Sequence, residues 1–241
     1  MAGAEDTLKH EHAVADIAGK VRESKCILFL GAGAHYPPPE ESTYCYPEQE
    51  RPPSGSALSQ SLAKECSFGD KFPNDSIKNL QRVSLCYEVT FSRNQLVNRI
   101  RGEVDEGRKP SPAILKIHGS VEKPESIVVT DEVYIQFLLR MSDKDPYHPI
   151  PETFRYHLKK WITLFVGYSL MDYNLRLLFK SMRWRVDLAN VPDTYSVDKY
   201  PDPLVLDVWS GQRRCVRFLV QDLWAFVPDL YRRVTGEEMP E

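Results

Sequence analysis

The sequence predicts an α/β fold: a Rossmann-like parallel sheet with a small helical cap. Three runs predict the sheet, namely Cys26-Ile-Leu-Phe-Leu-Gly-Ala-Gly-Ala-His35, Ala113-Ile-Leu-Lys-Ile-His-Gly-Ser120 and Ile162-Thr-Leu-Phe-Val-Gly-Tyr-Ser-Leu170. Each is a short β-rich stretch that ends in glycine beside polar groups. Segments of helical spacing separate and follow them, and strands alternating with helices build parallel sheets. Ligands of open parallel sheets sit beyond the carboxyl ends of the strands, so three such ends could converge on one phosphate-bearing ligand.

Taken in order, residues Thr7 to Glu23 carry Leu8, Ala13, Val14, Ile17, Ala18 and Val21 at helical intervals, which predicts an amphipathic helix packed on the first strand. Cys26–Leu30 is that strand. Between Tyr36 and Gly55, Pro37-Pro38-Pro39, Pro47 and Pro52-Pro53 exclude helix and interior strand. This long loop reads either as a cover over a ligand, because it directly follows Gly33, or as a disordered segment. Ser56–Cys66 and Asp75–Arg101 read as helices, the second broken near Thr90 or Ser92, and form a helical cap over residues 56–108. Asp75–Arg108 also supplies the crossover of a dozen or more residues that a parallel neighbour requires, leading to a strand at Ile114–Ile117.

Thr130 and Asp131 read as a helix cap. After the strand at Ile162, a helix opens at Ser169 or Met171 and runs through Trp184, and strands follow at Leu204–Trp209 and Val216–Asp222. A last helix covers Trp224–Thr235, with Pro228 interrupting or restarting it. Tyr134, Phe137, Trp161, Trp184 and Trp224 fall in apolar stripes and read as core.

With 241 residues, a net charge of −3 and 42% hydrophobic residues, the chain is expected to form one domain spanning 1–241. Its charge gives no sign of nucleic-acid binding, and pairs such as Arg213-Arg214 read as solvated surface. No segment is long and apolar enough to span a membrane. The cysteines are Cys26, Cys45, Cys66, Cys86 and Cys215, without the C-x-x-C spacing of a tetrahedral zinc site, so no zinc is expected. The odd cysteine count and the lack of an apolar leader point to a reducing cytoplasm.

The candidate site chemistry starts at the turn Gly31-Ala32-Gly33-Ala34. Its glycines lack the Cβ atoms that would hold a pyrophosphate away from backbone N–H groups. The full G-x-G-x-x-G fingerprint is absent, so a plain strand-to-loop turn is the alternative. His35 could reach a phosphate or serve only as a loop residue. His118 ends a predicted strand before Gly119, where an imidazole with an ordinary pKa of roughly 6.5 suits proton transfer near neutral pH, or else makes a structural hydrogen bond. Gly167, Tyr168 and Ser169 offer backbone N–H groups and a hydroxyl, and Ser169 equally reads as a helix N-cap.

The segments "FLGAGA", "LKIHGS" followed by "IVVTDEVYIQFL", and "FVGYSLMDYNLRLLF" together resemble the sirtuin-like domains of bacterial proteins, particularly antiphage-defence effectors that hydrolyse NAD. The resemblance covers roughly Cys26 to Phe179 and keeps the order of the family's motifs. It implies cleavage of NAD to nicotinamide and ADP-ribose, with His118 as the catalytic residue. It also implies that Gly31, Ala32, Gly33, Ala34, Gly119, Gly167, Tyr168 and Ser169 contact the dinucleotide. Such domains carry a Thr-Asn-Tyr-Asp-like strand end that contacts the nicotinamide ribose. The connector Gly102–Arg108 has no counterpart, so a catalytically impaired nucleotide-sensing or interaction module is the alternative. NAD-dependent deacylation ranks below both, because sirtuin deacylases usually add a four-cysteine zinc module. NAD or ADP-ribose is the expected small-molecule partner. The resemblance further implies a homo-oligomer and a protein activator or ATPase partner, with neither nucleic acid nor membrane.

Overall fold

The structure, a computed structural model, describes residues 2–92, 95–96, 126–141, 143, 148–171, 179, 191–209 and 216–240. Its strands are β1 (Cys26–Leu30), β2 (Ile162–Val166), β3 (Thr194–Val197) and β4 (Val216–Leu219). Its helices are α1 (Ala2–Arg22), α2 (Gly55–Glu65), α3 (Phe68–Lys71), α4 (Leu80–Thr90), α5 (Asp131–Arg140), α6 (Glu152–Leu158), α7 (Pro203–Trp209) and α8 (Leu223–Thr235). Short 3₁₀ turns cover Ala32–His35 and Glu48–Glu50. The chain divides into two compact units, one made of Met1–Arg51 with Glu152–Glu241 and the other of Pro52–Pro151.

The first unit contains a parallel sheet in the order β1-β2-β3-β4, the α/β, Rossmann-like architecture that the sequence predicts. In β2 every residue is buried, as expected of a parallel strand covered on both faces. Ile162, Leu164 and Val166 point to one face and pack with Ala13, Val14 and Ile17 of α1 and Phe226 of α8. Ile17 and Phe226 are fully buried. Each such side chain contributes about 1.5–3 kcal/mol. Phe165 takes the opposite face, with ring centroids 5.0 Å from Phe29 and 5.3 Å from Phe179. Leu8, counted in the apolar stripe of the first helix, is exposed instead.

Polar contacts fasten α1 to the sheet and to α8. Tyr195 Oη donates to Asp16 Oδ2 at 2.8 Å, and Arg233 Nη2 donates to Glu11 Oε2 at 2.7 Å. Burial, together with the neighbouring Asp16 carboxylate, holds the Tyr195 phenol well above its ordinary value, so it acts as the donor. Tyr195→Phe is expected to lower stability by about 1.5 kcal/mol, in the range for a hydrogen bond to a charged group. A lower urea midpoint with an unchanged slope would register it, and an unchanged midpoint would show that water replaces the bond.

Several elements differ from the sequence expectation. Leu204–Trp209 is not a strand but lies within α7, because Asp202 caps it: Asp202 Oδ1 accepts from Leu204 N at 2.8 Å and from Val205 N at 3.2 Å. Pro203 occupies the first helical position, where its missing N–H removes no bond. The strand beside β2 is instead Thr194-Tyr-Ser-Val197, whose four residues are all buried. α8 also runs unbroken through Pro228 from an Asp222 cap that accepts from Trp224 N at 2.8 Å.

In the second unit, Ser54 and Asn79 cap α2 and α4 by accepting from Ala57 N and Arg82 N, each at 3.2 Å. α4 thus begins at Leu80 rather than Asp75 and ends at Thr90. Ser92 Oγ then accepts from Gln95 N at 3.2 Å, so the interruption falls where the sequence places it. Leu62, Ala63, Cys66, Phe68, Val83, Tyr87 and Leu96 form the core of this unit. Thr130 caps α5 through its backbone position alone, without a side-chain bond, and Tyr134 and Phe137 are buried as expected.

Candidate functional site

β1 and β2 are neighbours, so their carboxyl ends deliver the turns at Gly31 and Gly167 side by side. Gly31 N donates to Val166 O at 2.9 Å and Gly33 N donates to Gly167 O at 2.8 Å, which extends the strand pairing into the turns. A Cβ on Gly31 would lie 2.3 Å from Gly167 O, and one on Gly33 2.8 Å from the same oxygen. On Gly167 it would lie 2.2 Å from Ala34 N, and this glycine also has φ +65°, in the left-handed region. Three glycines are therefore required by backbone packing on backbone, a need that the plain strand-to-loop alternative does not specify.

The two needs are compatible. The N–H groups of Gly31, Gly33 and Ala34 are engaged by Val166 O, Gly167 O and Gly31 O. The N–H of exposed Ala32 opens the 3₁₀ turn and takes no acceptor among the described residues. Exposed Ser169 stands at the end of the neighbouring strand, next to half-buried Tyr168. Leu170 follows with φ +55°, a conformation that costs a non-glycine residue about 1–2 kcal/mol. It is held there by a buried side chain and by the Trp209 Nε1 donor, 3.0 Å from its carbonyl oxygen.

The proline-rich loop after His35 is fastened to α8. Trp224 is half-buried rather than core: its Nε1 donates to Tyr36 O at 3.3 Å, and its ring lies 6.4 Å from that of Tyr44 and 6.3 Å from that of Tyr46. Tyr46 Oη lies 3.0 Å from His35 Nδ1, and Arg51 Nε donates to Tyr46 O at 2.7 Å. His35 thus has a partner within the loop. Trp224→Ala is expected to lower stability by about 2 kcal/mol through the lost aromatic and hydrogen-bond contacts. The same change should make residues 36–51 the first site of cleavage under limited proteolysis, and an unchanged cleavage order would show that Trp224 does not hold the loop.

His118 and Gly119, the strand expected at Ile114–Ile117 and most of the helix expected up to Trp184 lie outside the described residues. The site that the structure brings together consists of Gly31, Ala32, Gly33, Ala34, Gly167, Tyr168 and Ser169. Sequence reasoning misses Trp224 and Leu170, since both act through contacts distant in the chain. Among the described residues no group of three or more His, Cys, Asp and Glu side chains could hold a metal ion, and no helix is long and apolar enough to cross a membrane.

The family model for the SIR2-like domain matches residues 74–214. The match takes in His118, Gly119, Gly167, Tyr168 and Ser169, and begins after the Gly31–Ala34 turn. Among curated proteins none matches the chain.

Proposed function

The chain belongs to the SIR2-like domain family, and from that premise we propose that it binds NAD and hydrolyses the nicotinamide–ribose bond, releasing nicotinamide and ADP-ribose. SIR2-like domains use NAD. The observation that carries the reading is the pair of close-packed glycine turns at the carboxyl ends of adjacent parallel strands, where open α/β sheets receive ligands. In this reading Ala32 N–H and the Gly167–Ser169 turn meet the dinucleotide's oxygens, and His118 takes the proton of a ribose hydroxyl or of the attacking water. The leaving pyridinium is already positively charged, so the protein's work is mainly to position and polarise. Bacterial antiphage defence, a cytoplasmic setting, a homo-oligomer and a protein activator or ATPase partner belong to the same proposal.

The absence of a Thr-Asn-Tyr-Asp-like stretch in the connector Gly102–Arg108 favours a second reading, a sensor that binds the nucleotide without turnover. Incubating the purified protein with NAD while following nicotinamide and ADP-ribose, alongside calorimetry with ADP-ribose, separates the two. Saturable nicotinamide release supports hydrolysis. ADP-ribose binding without release supports the sensor, and neither binding nor release overturns both readings.

A further inference from the structure

Cys66 and Cys86 stand 20 positions apart in sequence, and the packing of α2 against α4 places Cys86 against the buried cluster that contains Cys66. One residue along each chain, Tyr87 Oη donates to Glu65 Oε2 at 3.0 Å, which fixes the two helices at this level. The two sulfurs differ in access. Cys66 closes the C-terminus of α2 and is only 2% exposed, whereas half-buried Cys86 lines an open cavity of about 310 Å³ with Phe68, Phe72, Lys71 and Thr90. Within that cavity Lys71 Nζ donates to Thr90 Oγ1 at 3.1 Å, and Thr90 Oγ1 lies 3.9 Å from Cys86 Sγ. The Thr90 hydroxyl and the Lys71 ammonium thus stand beside the more accessible of the two sulfurs.

We propose that Cys86 is an oxidant-reactive thiol and Cys66 its resolving partner, so that the helical unit closes a reversible Cys66–Cys86 disulfide. With hydrogen peroxide as oxidant, Cys86 Sγ attacks one oxygen, the O–O bond breaks and hydroxide leaves, giving a sulfenic acid. Cys66 Sγ then attacks that sulfur. The S–S bond forms as the Cys66 proton and the sulfenic hydroxyl depart as water, and the two thiols have together given two electrons to the peroxide. A dithiol reverses the link by exchange. Burial pushes the Cys66 thiol up to about 11, the neighbouring Cys86 thiol adds to this, and Lys71 opposes it. The closing step is therefore expected to accelerate as pH rises towards that value, since the thiolate is the attacking species.

The full chain is treated with hydrogen peroxide, alkylated and digested with trypsin, whose sites at Lys71, Lys78 and Arg82 put the two cysteines on separate peptides. The expected result is a linked pair of Cys66 and Cys86 peptides that dithiothreitol separates, with a higher unfolding midpoint in the linked protein. Cys66→Ala should stop at a Cys86 sulfenic acid trapped by dimedone, and Cys86→Ala should leave Cys66 unmodified. The proposal is overturned if the unmodified sequence forms no link, if its link runs to Cys26, Cys45 or Cys215, or if Cys86 proceeds to the sulfinic acid while Cys66 stays free. The mapping on the unmodified sequence decides the matter even where an alanine variant fails to fold.

Discussion

Replacing Gly167 by alanine is expected to lower stability by about 2–6 kcal/mol, from left-handed strain of roughly 1–3 kcal/mol and overpacking of roughly 1–3 kcal/mol. The added methyl would sit 2.2 Å from Ala34 N and 2.6 Å from Gly33 C, both backbone atoms that can move only if the paired turns separate. Total stabilities are roughly 5–15 kcal/mol, so such a variant stands near the limit of folding. Gly236 supplies the control: it has φ +81°, and a methyl added there would meet nothing within 4 Å. Gly236→Ala therefore meets the strain alone, roughly 1–3 kcal/mol. Denaturant midpoints of the two variants measure the difference, and equal losses would mean that the turns are not tightly packed. If Gly167 served only a ligand, its variant would lose affinity and keep its midpoint.

On the proposed function, His118→Ala is expected to slow nicotinamide release by about 10²–10⁴-fold, the usual contribution of one positioned general base. Affinity for ADP-ribose should persist, because the backbone of the Ala32 and Gly167–Ser169 turns is untouched by the substitution. The measurement pairs single-turnover nicotinamide release with calorimetry. Unchanged release would remove His118 from the mechanism, and a joint loss of release and binding would assign it to nucleotide affinity.

The elements legible in the sequence are those in which local signals agree with the final packing. β2 reads as a strand because Ile162-Thr-Leu-Phe-Val166 is a β-rich run that ends up wholly buried, and α1 reads as a helix because Ala13, Val14 and Ile17 share one buried face. α7 misleads because Leu-Val-Leu-Asp-Val-Trp is rich in apolar and β-branched residues, although Asp202-Pro203 carries a helix start. β3 escapes notice because it is four residues long and half of it is Thr194 and Ser196, polar yet fully buried. At the candidate site the glycines are legible, but their contact joins residues more than 130 positions apart, which no local pattern reports. The Cys66–Cys86 pair is hidden likewise, since no C-x-x-C spacing marks residues that the packing of two helices brings to one cluster.

Pro228 gives α8 an uneven cooperativity. Proline brings no N–H, so the carbonyl of Trp224, four residues earlier, has no partner from that position. The first turn of α8 consequently depends on the Asp222 cap and on whatever holds Trp224, which is the loop bearing Tyr36, Tyr44 and Tyr46. Loop docking and helix initiation are thereby thermodynamically linked, and the coupling is reciprocal. A ligand that orders the loop is therefore expected to slow amide exchange at the start of α8, and loss of the Asp222 cap is expected to loosen the loop.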